Sequence, residues 1–551
     1  MSDQTSNGAA PIKTRMGLVV TASAAGTVFE WYDFFIYGSV APIIARHFFA
    51  SAGETQGYIL TLLTFAAGFF ARPFGAVFFG RLGDRTGRKR TFLFTITVMG
   101  VATFLAGLLP DSNAIGVAAP WLLVALRVLQ GFAIGGEYGG AAIYVAEHAA
   151  PGRRGTATGW IQLSASIGLI LALAVILGVQ RSVGESVFAD WGWRIPFLLS
   201  AILLVISLWI RLKLDESPLF QRMKAEGRVA KAPLREAFAN GSNLKIILTV
   251  LVGVLTVQGA VWYMAQFYTL FFLQHVLKLD LASANWFVMA ATVITLPFYV
   301  FFAWLSDRIG RKPVMLTGIG VAVIAIFPAF HMMTDAVNPA LAQASLKSPV
   351  FVVAAPDECS VQFDLIGKTQ YVSSCDIAKS ALTSAGIPYK NEAAAEGAFA
   401  RVRVGDEEVE SPDGRTLNST DLAAAKKNFD LRLKAALTRA DYPAKADPKS
   451  VDGTTTLILL VILGLAAAAL YAPQAAALVE LFPTRIRYTA LSVPYHIGVG
   501  WFGGFLPATA FAIVAATGNI YAGLWYPAII AGVGFIVTLL FLPETYKRSI
   551  E

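Results

Sequence analysis

The sequence predicts an all-α polytopic membrane protein: twelve transmembrane helices in two halves of six, with a small α+β insert between helices nine and ten. Three observations predict it. Of the 551 residues, 56% are hydrophobic and only 15% charged, with a mean hydropathy of +0.60; that is too apolar for a soluble chain of this length. Apolar segments of spanning length recur along almost the whole chain. Finally, the loop GRLGDRTGRKR at residues 80–90 returns as WLSDRIGRK at Trp304–Lys312, about 220 residues later and again between apolar stretches. Two copies of one charged loop imply an internal duplication with a reused hinge, a common way to build a carrier.

A spanning helix needs roughly 20 mostly apolar residues. Such segments cover 17–47, 56–79, 91–109, 118–147, 157–180, 194–212, 245–274, 284–305, 314–333, 455–479, 489–516 and 525–542. Several exceed the minimum and are expected to tilt or to extend past the lipid. The net charge of +8 is concentrated at Lys13–Arg15, Arg81–Arg90, Arg153–Arg154, Arg211–Arg235, Arg308–Lys312 and Arg485–Arg487. Basic residues in short loops mark the cytoplasmic face, so both termini and the loop 213–244 are expected there. That loop divides the chain into a first half, 1–212, and a second half, 245–333 with 454–551. The first segment contains Glu30 and Asp33 and lacks a small-residue cleavage site; it reads as a retained helix, not a signal peptide. Nucleic-acid binding would gather basic residues on one soluble face, which is not the pattern. The implied partner is the lipid bilayer.

Residues 334–453 form a polar, nearly neutral insert. The topology puts it on the extracytoplasmic side, since long loops cross regardless of charge. Val350–Ala354 reads as a strand, and Ala400–Val404 with Glu407–Glu410 as a hairpin about Gly405-Asp406. Asp376–Ser384 and Asp421–Thr438 read as helices. A small α+β domain is expected, with a partly ordered loop as the alternative. Both cysteines, Cys359 and Cys375, lie here. An oxidising outer compartment would let them pair, adding roughly 3 kcal/mol of stability to the insert; two free thiols are the alternative. The insert has no His, and two ligands are too few for zinc.

Glu30, Trp31, Tyr32 and Asp33 interrupt the first apolar run. Glu30 and Asp33 are three residues apart and share one broad helix face. Carboxylates are costly in lipid, so these face a cavity or a partner. Desolvation favours the protonated form, making both candidates for proton coupling; a structural ion pair is the alternative. Arg72, in Ala71-Arg72-Pro73, lies deep in the second segment and Arg127 in the fourth. A buried guanidinium is a natural fork for a substrate carboxylate, or else it neutralises Glu30 or Asp33.

The fourth segment continues Gly131-Phe132-Ala133-Ile134-Gly135-Gly136-Glu137-Tyr138-Gly139-Gly140, small residues that permit close helix contact. Gln130 shares a face with Glu137, and Tyr138 lies almost directly below Arg127. Glu137 is a third proton-coupling candidate, or pairs with an Arg at the inner end. Tyr32, Gln130 and Tyr138 are candidate substrate contacts in this half. In the second half the polar intramembrane residues are Gln258, Tyr263, Gln266, Gln474, Tyr495 and His496. Of these, Gln258, Tyr263, Gln266 and His496 are the candidate substrate contacts, with His496 ionisable near neutral pH. There is no Gly-x-x-x-x-Gly-Lys-Ser/Thr loop, so nothing points to ATP-driven transport. No metal-ligand cluster and no nucleophile–base constellation is visible; no metal, no cofactor and no enzymatic activity is expected.

These motifs together resemble the major facilitator superfamily. GRLGDRTGRKR and SDRIGRK are similar to its signature loops, Arg127-Val-Leu-Gln-Gly131 to its helix-four motif, and Asp215-Glu216-Ser217-Pro218, Glu480-Leu-Phe-Pro483-Thr484-Arg485 and Pro543-Glu544-Thr545 to sugar-porter elements. Within it, the chain resembles the metabolite:proton symporter family through Glu30–Phe34, Arg72-Pro73, Gly135–Gly139 and Trp191–Pro196. The resemblance covers nearly everything except the insert. It implies transport of carboxylates such as 2-oxoglutarate or citrate, of shikimate, or of proline and betaine, with protons, by two halves rocking about a central site. It implies that Asp84 and Arg88 latch the inner gate, as do Asp307 and Arg311 in the second half.

The resulting expectation is a monomeric proton symporter of a bacterial inner membrane that takes up a small organic acid of the 2-oxoglutarate, dicarboxylate or citrate kind. The alternative is uptake of shikimate or of a proline/betaine osmolyte; Trp262, Tyr263, Phe267 and Tyr268 could cage a quaternary ammonium. The chain ends soon after Pro543-Glu544-Thr545-Tyr546-Lys547-Arg548, without the long coiled coil of osmosensing members. From another class, a sensor or receptor could use the external insert.

Overall fold

The structure is a computed structural model that describes residues 16–50, 54–86, 88–136, 138–212, 226, 232–360, 372–484, 486–548 and 550. All twelve expected segments are helical where described. The first half comprises α1 (Met16–Ser39, extended by Ala41–Phe48), α2 (Glu54–Thr86), α3 (Arg88–Leu108), α4 (Ala118–Ile134, continued by Tyr138–His148), α5 (Arg154–Val183) and α6 (Arg194–Leu212). The second half begins with α7 (Gly241–Val276), α8 (Leu281–Ile309) and α9 (Arg311–Val337). The insert follows as α10 (Pro339–Lys347), β1 (Val350–Ala354), α11 (Ser374–Ser384), β2 (Tyr389–Ala393), β3 (Arg401–Val404), β4 (Glu407–Glu410) and α12 (Ser419–Arg439). Then α13 (Gly453–Leu481), α14 (Arg487–Thr517) and α15 (Trp525–Phe541) complete the bundle. Among the described residues nine helices are long and apolar enough to cross a membrane, and α6 makes a tenth with the short helix bent 62° against its start. The apolar part of α3, Leu93–Leu108, is shorter, while α1 has 24 residues.

The bundle is apolar outside as well as inside, as lipid requires. Val205, Ile324, Leu540 and Phe541 stand out from it, exposed. Exposed tryptophans mark the two ends: Trp121, Trp286 and Trp525 on the insert side, Trp160, Trp209 and Trp304 on the basic-loop side. Such belts sit at the headgroup level. The glycine-rich fourth segment has a packing reason. A Cβ at Gly131 would lie 1.6 Å from the Gly68 carbonyl oxygen of α2, so only glycine lets α2 and α4 meet there.

Two helices are wound too loosely for a plain α-helix. α7 contains π-helical turns at Leu251–Leu255, Met264–Tyr268 and Phe272–Val276, and α14 contains one over His496–Gly503. Such turns gather at functional sites because they re-aim side chains. The α14 stretch packs against α2, and Phe267 in the middle turn of α7 meets Phe65 of α2 at 5.4 Å.

The insert is an α+β unit whose sheet runs β2-β1-β3-β4. β1 and β2 are parallel, and the segment between them contains α11, as a parallel pair needs a crossover. β3 and β4 form the hairpin about Gly405-Asp406. Cys359 is bonded to Cys375 at the start of α11. The unit is bolted to the second half. Tyr389 donates its hydroxyl to the Ala515 carbonyl (2.7 Å) and its N–H to that of Gly518 (2.9 Å), and Lys278 Nζ donates to the Ser384 carbonyl (2.6 Å). α11 also packs against α2 of the first half, so the insert touches both.

Candidate functional site

α2 delivers Arg72 to the middle of the bundle. Phe65, Phe69 and Arg72 fall on one helix face, and Pro73 follows inside the helix, removing the donor for the Phe69 carbonyl. Arg72 is 0% exposed. Its guanidinium lies over Phe69 at 4.0 Å, Phe34 at 4.5 Å and Trp31 at 5.4 Å. Tyr263, Tyr471, Tyr495 and His496 of the second half stand around it, and a Cβ at Gly500 would touch its side chain at 3.7 Å. Nε, Nη1 and Nη2 have no hydrogen-bond partner among the described residues. The rings attract the cation, but they cannot satisfy its five N–H donors.

Arg127 lies beyond the same Phe34 ring, at 4.3 Å, and also over Tyr37 at 4.5 Å. Its Nη1 donates to Gln130 Oε1 (2.6 Å), and Gln130 Nε2 donates to Thr103 Oγ1 (2.7 Å). The Thr103 hydroxyl donates to the Met99 carbonyl (3.0 Å) and lies near the Asp33 carboxylate. Asp33 is buried, with Oδ1 unpartnered. Polar groups of α3 and α4 thus stand between a buried carboxylate on α1 and a cation on α4. Glu30 is buried on the same helix.

On the basic-loop side the halves are tied by ionic contacts. The N-cap position of α5 is Arg153, which provides no side-chain cap. Asp307, at the end of α8, supplies it from the other half: it accepts from the N–H of Gly155 (2.8 Å) and Thr156 (2.7 Å) and from Thr156 Oγ1 (2.7 Å). This combines hydrogen bonding with the helix dipole. Arg311 Nη1 donates to Asp307 Oδ1 (2.6 Å), the oxygen that also accepts from Gly155, and Arg311 Nη2 pairs with Glu480 (3.0 Å). Arg487 pairs with Glu147 (2.9 Å), and Tyr488 donates to the Gly136 carbonyl (2.7 Å), both across the halves. The start of α9 is capped in the same borrowed manner, Arg311 and Lys312 N–H donating to Glu544. Gly310 there has φ +109°, and a Cβ would lie 2.4 Å from Glu544 Oε2.

The candidate residues therefore separate. Arg72, Arg127, Gln130, Asp33, Tyr263 and His496 gather about the centre. Gln258 is buried with Oε1 unpartnered. Tyr32 is buried, its hydroxyl engaged by the Pro196 carbonyl (2.7 Å) as a tie between α1 and α6. Gln266 accepts from Thr292 Oγ1 (2.9 Å) and lines a small cavity among α7, α8 and α13. Asp307 and Arg311 sit in the ionic contact between the halves on the basic-loop side. Glu137, and the side chains of Tyr138, Asp84 and Arg88, lie outside the described residues. Sequence reasoning missed the rings Phe34, Phe65 and Phe69 and the Thr103 hydroxyl; spacing of the phenylalanines with Arg72 was the available signal, whereas Thr103 offered none. Among the described residues no cluster suits a metal ion.

Comparison with known proteins gives this geometry a family. Residues 18–247 and 441–551 match the sugar (and other) transporter family, and residues 144–355 the MFS/sugar transport protein family. The chain is 37% identical over 316 residues to the shikimate transporter of Escherichia coli (strain K12), covering 56% of this chain and 70% of that one. It is 33% identical over 325 residues to the proline/betaine transporter of the same strain, covering 57% and 64%, so the match spans less than two thirds of that relative. To an inner membrane metabolite transport protein of that strain it is 35% identical over 350 residues, covering 61% and 77%. A solved D-xylose–proton symporter superposes with a TM-score of 0.60 at 15% identity, covering 97% of this chain and 99% of that one; this establishes the fold. The chain belongs to the sugar (and other) transporter family of the major facilitator superfamily, and it is a multi-pass membrane transporter, not an enzyme.

Proposed function

We propose that this protein takes up a small monocarboxylate together with a proton, across a bacterial inner membrane, by alternating access of its two halves. One observation carries the reading: the Arg72 guanidinium, buried among rings and without a hydrogen-bond partner. A desolvated charge of this kind costs several kcal/mol, and a carboxylate relieves it with two parallel hydrogen bonds. Arg127 is less free, because Gln130 holds one of its nitrogens. Arg72 thus offers an open fork for one carboxylate, and Arg127 keeps Nε and Nη2 without a partner. The 2-oxoglutarate, dicarboxylate or citrate expectation gives way to its alternative on the strength of the relatives. The relatives are named for shikimate and for proline and betaine, all of which carry a single carboxylate.

In this reading Asp33, with Glu30 beside it, carries the proton, and Gln130 and Thr103 lie between it and Arg127. Glu137 is a further proton candidate. Asp307 and Arg311 form the inner latch, with Asp84 and Arg88 as its first-half counterparts. Short basic loops face the cytoplasm, so both termini are cytoplasmic and the insert is outside, where a disulfide persists. The working unit is the monomer. Proline or betaine is the second reading, favoured by the buried rings Trp262, Tyr263, Phe267 and Tyr268.

The test is calorimetric titration of the purified protein with shikimate, proline and glycine betaine, alongside Arg72→Gln. The variant removes an unpaired buried charge, so it should fold and melt no lower than the parent. Saturable binding in the parent, weakened at least about tenfold in the variant, is expected. Equal affinity in both would take Arg72 out of the site.

A further inference from the structure

On the side opposite the basic loops, the halves meet through rings and small residues. Phe65 of α2 lies 5.4 Å from Phe267 of α7, and Phe35 of α1 lies 4.9 Å from the same ring. A Cβ at Gly504 of α14 would lie 2.2 Å from Phe69 of α2. Nearer the insert, α11 packs against both α14 of the second half and α2 of the first. A helix at a protein surface ordinarily keeps one polar face in water. α11 has no exposed residue from Ser374 to Ser384, and even Asp376 and Lys379 are buried. The sheet of the insert covers it through β1 and β3, and the bundle covers it through α2 and α14.

The insert is carried by the ends of two helices. α7 finishes in a left-handed turn at Lys278, φ +58°, with the Leu279 N–H donating back to the Leu273 carbonyl (2.9 Å). Glycine is the usual residue there, because a side chain strains the backbone. The lysine side chain has a use: its Nζ donates to the Ser384 carbonyl at the end of α11 (2.6 Å). Its own carbonyl accepts from the Ala446 N–H (3.2 Å), late in the insert. Gly386 comes so close that a Cβ would lie 2.8 Å from Lys278 Cε and 2.9 Å from the His275 carbonyl oxygen. On α14, Tyr389 binds the carbonyls of Ala515 and Gly518. α7 and α14 are also the helices with π-turns facing the first half.

We propose that the insert is a clamp on the gate of its own side. It rides on α7 and α14, holds α2 through α11, and must release α2 each time that side opens. Lys278 and Tyr389 set the strength of the clamp. This goes beyond the carboxylate reading and rests only on its alternating access, whatever the substrate.

The experiment places a reporter thiol at Ala508→Cys, one turn beyond Gly504 on the same face of α14 and 0% exposed. Cys359 and Cys375 are bonded to each other, so the reporter is the single thiol. Its alkylation by a sulfonated maleimide is timed in purified full-length protein, alone and combined with Lys278→Gly, Tyr389→Phe or Asp307→Ala. Hydrogen exchange of the α11 amides reports docking in the same samples. Lys278→Gly relieves the left-handed turn while removing the bond to Ser384, so it should fold. It should speed α11 exchange and raise the alkylation rate about tenfold, the loss of one hydrogen bond from a charged group. Tyr389→Phe should raise the rate about fivefold. Asp307→Ala, which frees the opposite side, should lower it. Faster α11 exchange with an unchanged alkylation rate overturns the clamp, and so does no change in either. If Asp307→Ala still lowers the rate in that case, alternating access stands without the clamp; if it does not, alternating access fails as well.

Discussion

Asp307 offers the sharpest perturbation of the closed state. Its side chain is 5% exposed and accepts three hydrogen bonds from the first half, two of them from the N–H groups of Gly155 and Thr156 at the uncapped start of α5. Hydrogen bonds to a charged group contribute roughly 1.5–3 kcal/mol each, and they do not add. Breaking a buried pair costs about 3–5 kcal/mol. Asp307→Ala should therefore destabilise the form closed on the basic-loop side by about 3–5 kcal/mol, shifting the equilibrium roughly 10²- to 10⁴-fold towards opening on that side. Asp307→Asn, which keeps the volume and one acceptor, should fall between. Cys359 and Cys375 are disulfide-bonded, so Thr158→Cys, buried one turn inside the seam, is a single reporter thiol. Its alkylation rate in inside-out vesicles should rise steeply in Asp307→Ala. An unchanged rate in folded protein would refute the view that this carboxylate holds the halves together.

Four further outcomes follow from the geometry. Arg72→Lys keeps the charge but not the fork; substrate affinity should drop roughly tenfold or more, read by titration. Asp33→Asn should preserve counterflow exchange while abolishing accumulation against a gradient, both measured in proteoliposomes. Gly518 has φ +75°, and a Cβ there would lie 2.5 Å from the Tyr389 carbonyl oxygen, so Gly518→Ala should loosen the docked insert and raise its rate of limited proteolysis. Asp111, in the loop between α3 and α4, is pushed up by partial burial, but bonds from His47 and the N–H groups of Ala114 and Asn113 outweigh this and hold it below the ordinary carboxylate value. A folded-state pKa below the unfolded one stabilises above the unfolded value and is lost as pH falls through the folded one. Asp111→Asn should thus lower the melting temperature at pH 7, with the gap to the parent closing below about pH 4.

Much of this arrangement was legible in the sequence. Helices of spanning length announce themselves through uninterrupted apolar runs, and β1, the Gly405-Asp406 hairpin and the α12 helix through their periodicity. β2 escaped because Tyr389–Ala393 is polar and exposed along most of its length, carrying no alternation to detect. Arg72 and Asp33 could be singled out because charge in an apolar run is rare. Their neighbours could not. That Tyr32 spends its hydroxyl on Pro196, 164 residues away, and Gln266 on Thr292, depends on helix packing that one chain's pattern does not encode. The motifs at Glu480 and Glu544 were visible as strings, but their reason is tertiary: one closes on Arg311, the other caps α9.

The central claim is coupled movement of a proton and a carboxylate through the Arg72 site. The most direct measurement is accumulation of labelled shikimate in proteoliposomes under an imposed pH gradient, acid outside, for the parent and Arg72→Gln. The account predicts uphill accumulation in the parent that collapses with protonophore and is absent in the variant. Equal accumulation in both proteins, or uptake indifferent to protonophore, would contradict it.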